Sequence, residues 1–263
     1  MPQVQLSEFY SHVCPDCGGF FGEGFLPPEN LTMIEKLIKL VFDGVEILQT
    51  NKDFQRLVKS YFNFFKSSII EGYGKGDFTT IDTQTIKALT ENVFNFSQAK
   101  TANELKDINK LLLDKNGLIK LFDVFKEDVL SLHKNYNEAY LQAEYIFAVT
   151  SSQNTRLWND AMANNAINPY LKYITVGDKL VRPGHKAMNG ITLLTNDSFW
   201  NKYYPPNGWR CRCTVQSLRD TKKTTDLDTK NMALIEKDTP DYFKRNFANE
   251  QIIFDSTHPY FNQ

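Results

Sequence analysis

Cysteine is scarce in this chain: there are four in 263 residues, at positions 14, 17, 211 and 213. So few thiols in so long a chain exclude a disulfide scaffold, and close pairs of this kind in a reducing compartment bind metal or stay free. An excess of one charge is also lacking. Thirty Lys and Arg against 31 Asp and Glu leave a formal net charge of -1, so no overall field draws the chain to DNA, RNA or an anionic membrane. Arg210, Arg212, Arg219, Lys222 and Lys223 make the one local basic cluster; its ordinary reading is a solvated face, and any DNA contact would rest on it. No apolar run approaches the roughly 20 residues that span a bilayer, so no membrane partner is expected. The opening MPQVQLSEFY lacks the basic and then apolar stretches of a secretory signal, which places folding in the cytosol.

Material for a core is plentiful. Hydrophobic residues make up 41% of the chain, with 20 Phe and 12 Tyr, enough for one large domain or two modest ones. Apolar residues recur at helical spacing at Leu31, Ile34, Ile38, Val41, Val45 and Leu48, and again at Phe54, Leu57, Val58, Tyr61, Phe62 and Phe65. The second run ends at Gly72-Tyr73-Gly74-Lys75-Gly76, which lacks the Lys-Ser/Thr ending of a phosphate loop and reads as a turn. Two shorter helices are expected near 83–94 and 102–113. Between Leu118 and Asn168 there is neither Gly nor Pro, which predicts a long helix broken or bent at Thr150-Ser151-Ser152. His133 within it reads as an ordinary residue.

Past Pro169 the pattern changes to alternation, with strands expected at 170–175, 180–182, 192–194 and 209–218. Residues 220–241 read as a loose charged tail, and apolar residues from Phe243 to Phe261 as a segment that docks back. The fold class is therefore α+β: a mostly helical amino-terminal two-thirds followed by a small β-containing domain. Four regions are expected. Residues 1–75 form a helical region, 76–168 a helical region with the long helix, 169–219 the β-containing domain and 220–263 the tail.

The chemistry concentrates in two places. Cys14-Pro15-Asp16-Cys17-Gly18-Gly19 has the shape of a zinc knuckle, and Cys211-Arg212-Cys213 on a strand would aim both sulfurs to one face as a two-point chelate. His185, after a Pro-Gly turn, can bring an imidazole to the same place. A fourth ligand would then come from Asp178, Asp197, His258 or an amino-terminal cysteine. An all-cysteine site of Cys14, Cys17, Cys211 and Cys213 is the alternative. Buried free thiols with a hydrogen-bonded histidine are the alternative to metal; if metal is bound, structural zinc is expected, because a catalytic site needs an open position and a placed acid or base, and no Glu stands beside His185.

In order, Gly177-Asp178, Val181-Arg182-Pro183-x-His185, Met188-Asn189-Gly190, Phe199-Trp200, Pro205-Pro206-Asn207-Gly208-Trp209 and Cys211-Arg212-Cys213 closely resemble the carboxy-terminal domain of the phage Mu F-like head morphogenesis, or minor capsid, proteins. Upstream, Asn92-Val93-Phe94-x-Phe96-Ser97-x-Ala99-Lys100-Thr101, Glu104-Leu105-Lys106, and Tyr136-Asn137 through Ala143-Glu144-Tyr145 resemble their helical part. The resemblance covers about residues 84–219. It implies a non-enzymatic, low-copy structural component that meets portal, capsid or scaffold proteins, from phages or prophages. Its expected locations are the cytoplasm of the bacterial host during assembly and then the capsid interior, with delivery alongside the DNA left open. The rival reading is a metal- or cysteine-dependent enzyme that acts on nucleic acid or protein during packaging or entry.

Overall fold

The computed structural model describes residues 6–10, 29–219 and 229–262. Cys14 and Cys17, with Lys222 and Lys223 of the basic cluster, lie outside the described residues. The architecture is α+β: a helical body with a small antiparallel sheet in the last third.

The body comprises α1 (Leu6–Phe9), α2 (Glu29–Phe42), α3 (Lys52–Tyr73), α4 (Thr80–Lys110), α5 (Phe122–Asn135), a π-helical turn (Tyr136–Tyr140) and α6 (Leu141–Ala163). Asn51 caps α3 by accepting from the backbone N–H groups of Asp53 and Phe54, and Thr79 with Asp82 forms a reciprocal capping box on α4. The apolar stripes at 31–48 and 54–65 supply Ile34, Ile38, Phe54, Leu57, Tyr61 and Phe65 to one core.

Two features depart from the sequence pattern for the same reason. The helices expected at 83–94 and 102–113 are one 31-residue helix, and α6 runs through Thr150-Ser151-Ser152 without a break. Hydroxyl-bearing residues read as breakers because they compete for backbone partners. Here they turn inward and bond to carbonyls four residues back within their own helix: Ser97 to Val93, Thr101 to Ser97, Thr150 to Ile146 and Ser152 to Ala148. Their small size lets α3 and α6 approach closely, and a Cβ on Gly72 would stand 2.1 Å from the Val149 carbonyl oxygen. The interruption of the long helix comes earlier, at the π-helical turn.

The sheet has strand order β2-β1-β3 and is antiparallel throughout. It consists of β1 (Tyr170–Ile174), β2 (Thr192–Leu194) and β3 (Thr214–Leu218). Between the strands lie α7 (Pro183–Met188) and α8 (Trp200–Tyr203). The expected strand at 180–182 is a turn, because Asp178 accepts from the Leu180 N–H and Arg182 is already the residue before α7. The expected strand at 209–218 begins only at Thr214. Arg210 has φ +55° and the Cys211 N–H bonds back to the Gly208 carbonyl, so the Asn-Gly turn runs on through Arg210.

Residues 229–238, expected to be loose, form α9 (Thr229–Asp238), which packs on α7. Gly184 makes that approach possible, since a Cβ there would stand 2.6 Å from the Cβ of Asp238. A short 3-10 turn (Asp241–Phe243) and α10 (Phe247–Glu250) follow. The segment from Phe243 to Phe261 does return to the body: Phe243, Phe247, Ile253, Phe254 and Tyr260 belong to the helical core. A second cluster, around Tyr173, Met188, Trp200, Tyr204 and Ile235, lies between the sheet and its flanking helices. Trp209 links the two, since it comes from the β-containing part and is buried in the helical core.

Candidate metal centre

His185 and the cysteine pair, 26 and 28 residues apart in sequence, meet in space. The His185 Nδ1 atom is 3.6 Å from Cys211 Sγ and 3.6 Å from Cys213 Sγ. All three side chains are buried, and their ligand atoms lie within 4.8 Å of one another. The cysteines reach this arrangement without the strand alternation expected for them, because both precede β3.

Neighbouring residues fix each partner. Pro183 opens α7 and the Asp238 carboxylate accepts from the Gly184 N–H at 2.5 Å, which sets the helix that carries His185. The cysteine segment is held from both sides. Asn154 in α6 donates to the Cys213 carbonyl at 3.1 Å, and Arg182 donates to the Trp209 carbonyl at 2.7 Å. The Arg182 guanidinium lies over Gly208, where a Cβ would be 3.1 Å from Nη1. Asn207 is fully buried and accepts from the Tyr173 hydroxyl at 2.9 Å, which ties the Pro-Pro-Asn-Gly turn to β1. Of these supports, Arg182, Gly184, Asn207 and Gly208 stand inside recognisable sequence signals. Asp238 gave no signal, because nothing in its surroundings marks it as a partner of α7.

The other proposed ligands among the described residues are otherwise occupied. Asp178 is bidentate to Arg212 at 2.8 and 3.0 Å, and Asp197 accepts from the Phe199 N–H. His258 is buried in the helical core, where Nε2 is 3.1 Å from the Tyr10 hydroxyl and Nδ1 accepts from the Tyr260 N–H. Among the described residues, His185, Cys211 and Cys213 form the one group of three or more potential ligands that converge. Of the described members of the basic cluster, Arg210 is buried against Gln142 and Arg212 is paired with Asp178.

Electrostatics single out the pair. Burial opposes ionisation of Cys211, yet the Cys213 thiol and the His185 imidazole hold its thiol well below the ordinary range. Cys213 moves the other way, pushed far up by its hydrogen bond to Cys211 and by burial. Two adjacent sulfurs without a compensating cation ionise only once, whereas a bound cation lets both become thiolates.

Curated relatives match part of the chain. It is 34% identical over 99 residues to the “Putative capsid assembly protein F” of Escherichia phage Mu, an alignment covering 35% of this chain and 23% of that protein. It is 39% identical over 59 residues to the Mu-like prophage FluMu F protein of Haemophilus influenzae, covering 22% of this chain and 14% of that protein. The chain thus aligns with under a quarter of the length of either relative. No solved structure matches. The model of the family described as “Phage Mu protein F like protein” matches residues 83–216, about half of the chain, from α4 to β3 and through all three converging ligands, and the chain belongs to that family.

Proposed function

We propose that this chain is a minor structural component of a phage or prophage head, acting in capsid assembly without catalytic turnover. The observation that carries this reading is the family match across residues 83–216, together with the capsid-assembly name of the phage Mu relative. The site supports a structural role. Among the described residues its lining consists of Val176, Leu180, Val181, Arg182, His185, Arg210, Cys211, Arg212 and Cys213, with no carboxylate and no second histidine to act as acid or base. No helix among the described residues is long and apolar enough to cross a membrane, in keeping with assembly in the host cytoplasm and residence in the head.

The finer reading is low copy number, contact with portal, capsid or scaffold protein, and a place in the capsid interior. Quantitative mass spectrometry of purified heads from the source phage, or from an induced prophage, tests it. A few copies per particle, and loss of filled heads when the gene is deleted, are expected. Its absence from heads at every stage of assembly overturns the reading.

A further inference from the structure

The converging site sets two sulfurs at one distance from one ring nitrogen, which a shared ion accounts for directly. A neutral imidazole has one free lone pair, so one S–H···N bond saturates Nδ1. Yet two sulfurs stand at the same 3.6 Å from that atom. Tetrahedral coordination with Zn–S of about 2.3 Å and Zn–N of about 2.0 Å places sulfur and nitrogen about 3.5 Å apart, and a shared ion makes both separations equal. The other ring nitrogen, Nε2, is buried without a hydrogen-bond partner among the described residues.

The ligand chemistry selects the metal. Two thiolates and an imidazole suit zinc, whereas magnesium and calcium require oxygen ligands. A dication with two thiolates is neutral overall, which a buried site tolerates. The cavity that all three residues line has a volume of about 20 Å³, and about 10–15 Å³ is enough for one water.

We propose that His185 Nδ1, Cys211 Sγ and Cys213 Sγ hold one zinc ion, with a water-sized ligand from the adjoining cavity in the fourth position. The ion pins α7 to the segment that leads into β3, and so ties the β1–β2 connection to the β2–β3 connection. Because, among the described residues, the cavity is lined by Arg182, Arg210 and Arg212 and by no carboxylate, no described base stands beside the bound ligand, and the zinc is assigned a structural role. This inference stands apart from the reading of capsid assembly.

Elemental analysis of the full chain, expressed with zinc and purified without chelator, tests it. About one zinc per chain is expected. Cys211→Ser and His185→Ala should each weaken zinc binding by about tenfold or more, whereas the double variant Cys14→Ser/Cys17→Ser should keep it. Because a ligand variant can unfold, cobalt(II) titration of the unaltered protein gives an independent readout: a thiolate-to-cobalt charge-transfer band with the intensity of two thiolates. The proposal fails if the unaltered protein neither contains nor takes up zinc, or if Cys211→Ser binds it as tightly. It also fails if Cys14→Ser/Cys17→Ser loses zinc, or if the cobalt band has the intensity of four thiolates.

Discussion

Lys100 in α4 and Glu144 in α6 face each other inside the helical core, both fully buried, with Nζ 3.0 Å from Oε2. Lys100 also donates to the Tyr136 carbonyl at 3.1 Å and to the Tyr260 hydroxyl at 3.2 Å, while Glu144 accepts from Tyr10. Burial lowers the Lys100 pKa, and Glu144 and Glu104 oppose that. Removing one member of such a pair strands a charge, at a cost of about 3–5 kcal/mol, whereas replacing both with apolar residues is often close to neutral. Lys100→Met should therefore lose about that much stability in urea unfolding, and Lys100→Met/Glu144→Leu should recover most of it. A double-variant loss equal to the sum of the Lys100→Met and Glu144→Leu losses would show that the pair contributes no coupling. His258 lies in the same network. Burial and then the Lys100 charge hold its pKa well below the ordinary histidine value, so the folded chain keeps it neutral while the unfolded chain protonates it near pH 6.5. Its contribution is complete above that pH and is lost as pH falls toward the depressed value, with a slope of up to about 1.4 kcal/mol per pH unit. Between pH 6.5 and 5, His258→Gln should flatten the fall in stability by about that slope; an unchanged slope would remove the histidine from the account. Sequence alone leaves position 258 open as a ligand, because composition does not show that this histidine lies against Phe96, Phe254 and Tyr242.

At the scale of elements, sequence periodicity located the helices and missed where they join or bend. The stripes of α2 and α3 were legible because one face is apolar and the other polar. Those of α4 and α6 were obscured, since their buried faces carry Ser97, Lys100, Thr101, Glu104, Ser151, Ser152, Asn154 and Thr155. A helix that buries polar residues against other polar residues has no clean apolar stripe. The π-helical turn has a similar origin: it coincides with the point where the Tyr136 carbonyl is taken by Lys100 rather than used only within the helix. For the site, the turn formers, His185 and the C-x-C were all visible, but the route was not, because a left-handed Arg210 replaces the expected strand alternation. The approach of α3 to α6 gives a direct check. Gly72→Ala would place a methyl group 2.1 Å from the Val149 carbonyl oxygen and 2.9 Å from the Ser152 Cβ, and both are held within a packed helix. Overpacking of this kind costs about 1–3 kcal/mol or more. Thermal unfolding should show the loss, and Gly117→Ala, whose Cβ would meet nothing within 4 Å, separates crowding from backbone strain, since that residue has φ +77°.

At the scale of the whole molecule, sequence-distant segments close one core. Tyr10 stacks on Tyr140 and Trp209 with ring centroids 4.3 and 5.0 Å apart, and the Trp209 indole donates to the Phe9 carbonyl. From the other direction, Phe254 stacks on Phe96 at 3.6 Å, and Asn92 in α4 clamps that segment by accepting from the Ile253 and Phe254 N–H groups and donating to the Phe254 carbonyl. The returning segment is therefore part of the core that the helices alone cannot complete. Ending the chain after Glu250 removes Ile253, Phe254 and Tyr260, all at most 2% exposed, and uncovers Phe65, Phe96 and Tyr136. Losing one large buried side chain costs about 2–5 kcal/mol, so losing three consumes most or all of the roughly 5–15 kcal/mol that stabilises a domain. The truncated chain should keep much of its helical circular dichroism, lose a sharp thermal transition and bind a hydrophobic dye. A chain ended after Phe261 keeps those contacts and should unfold within about 1 kcal/mol of the full chain. If the shorter chain instead melts as sharply as the full one, the helical body is self-sufficient and the returning segment only decorates it.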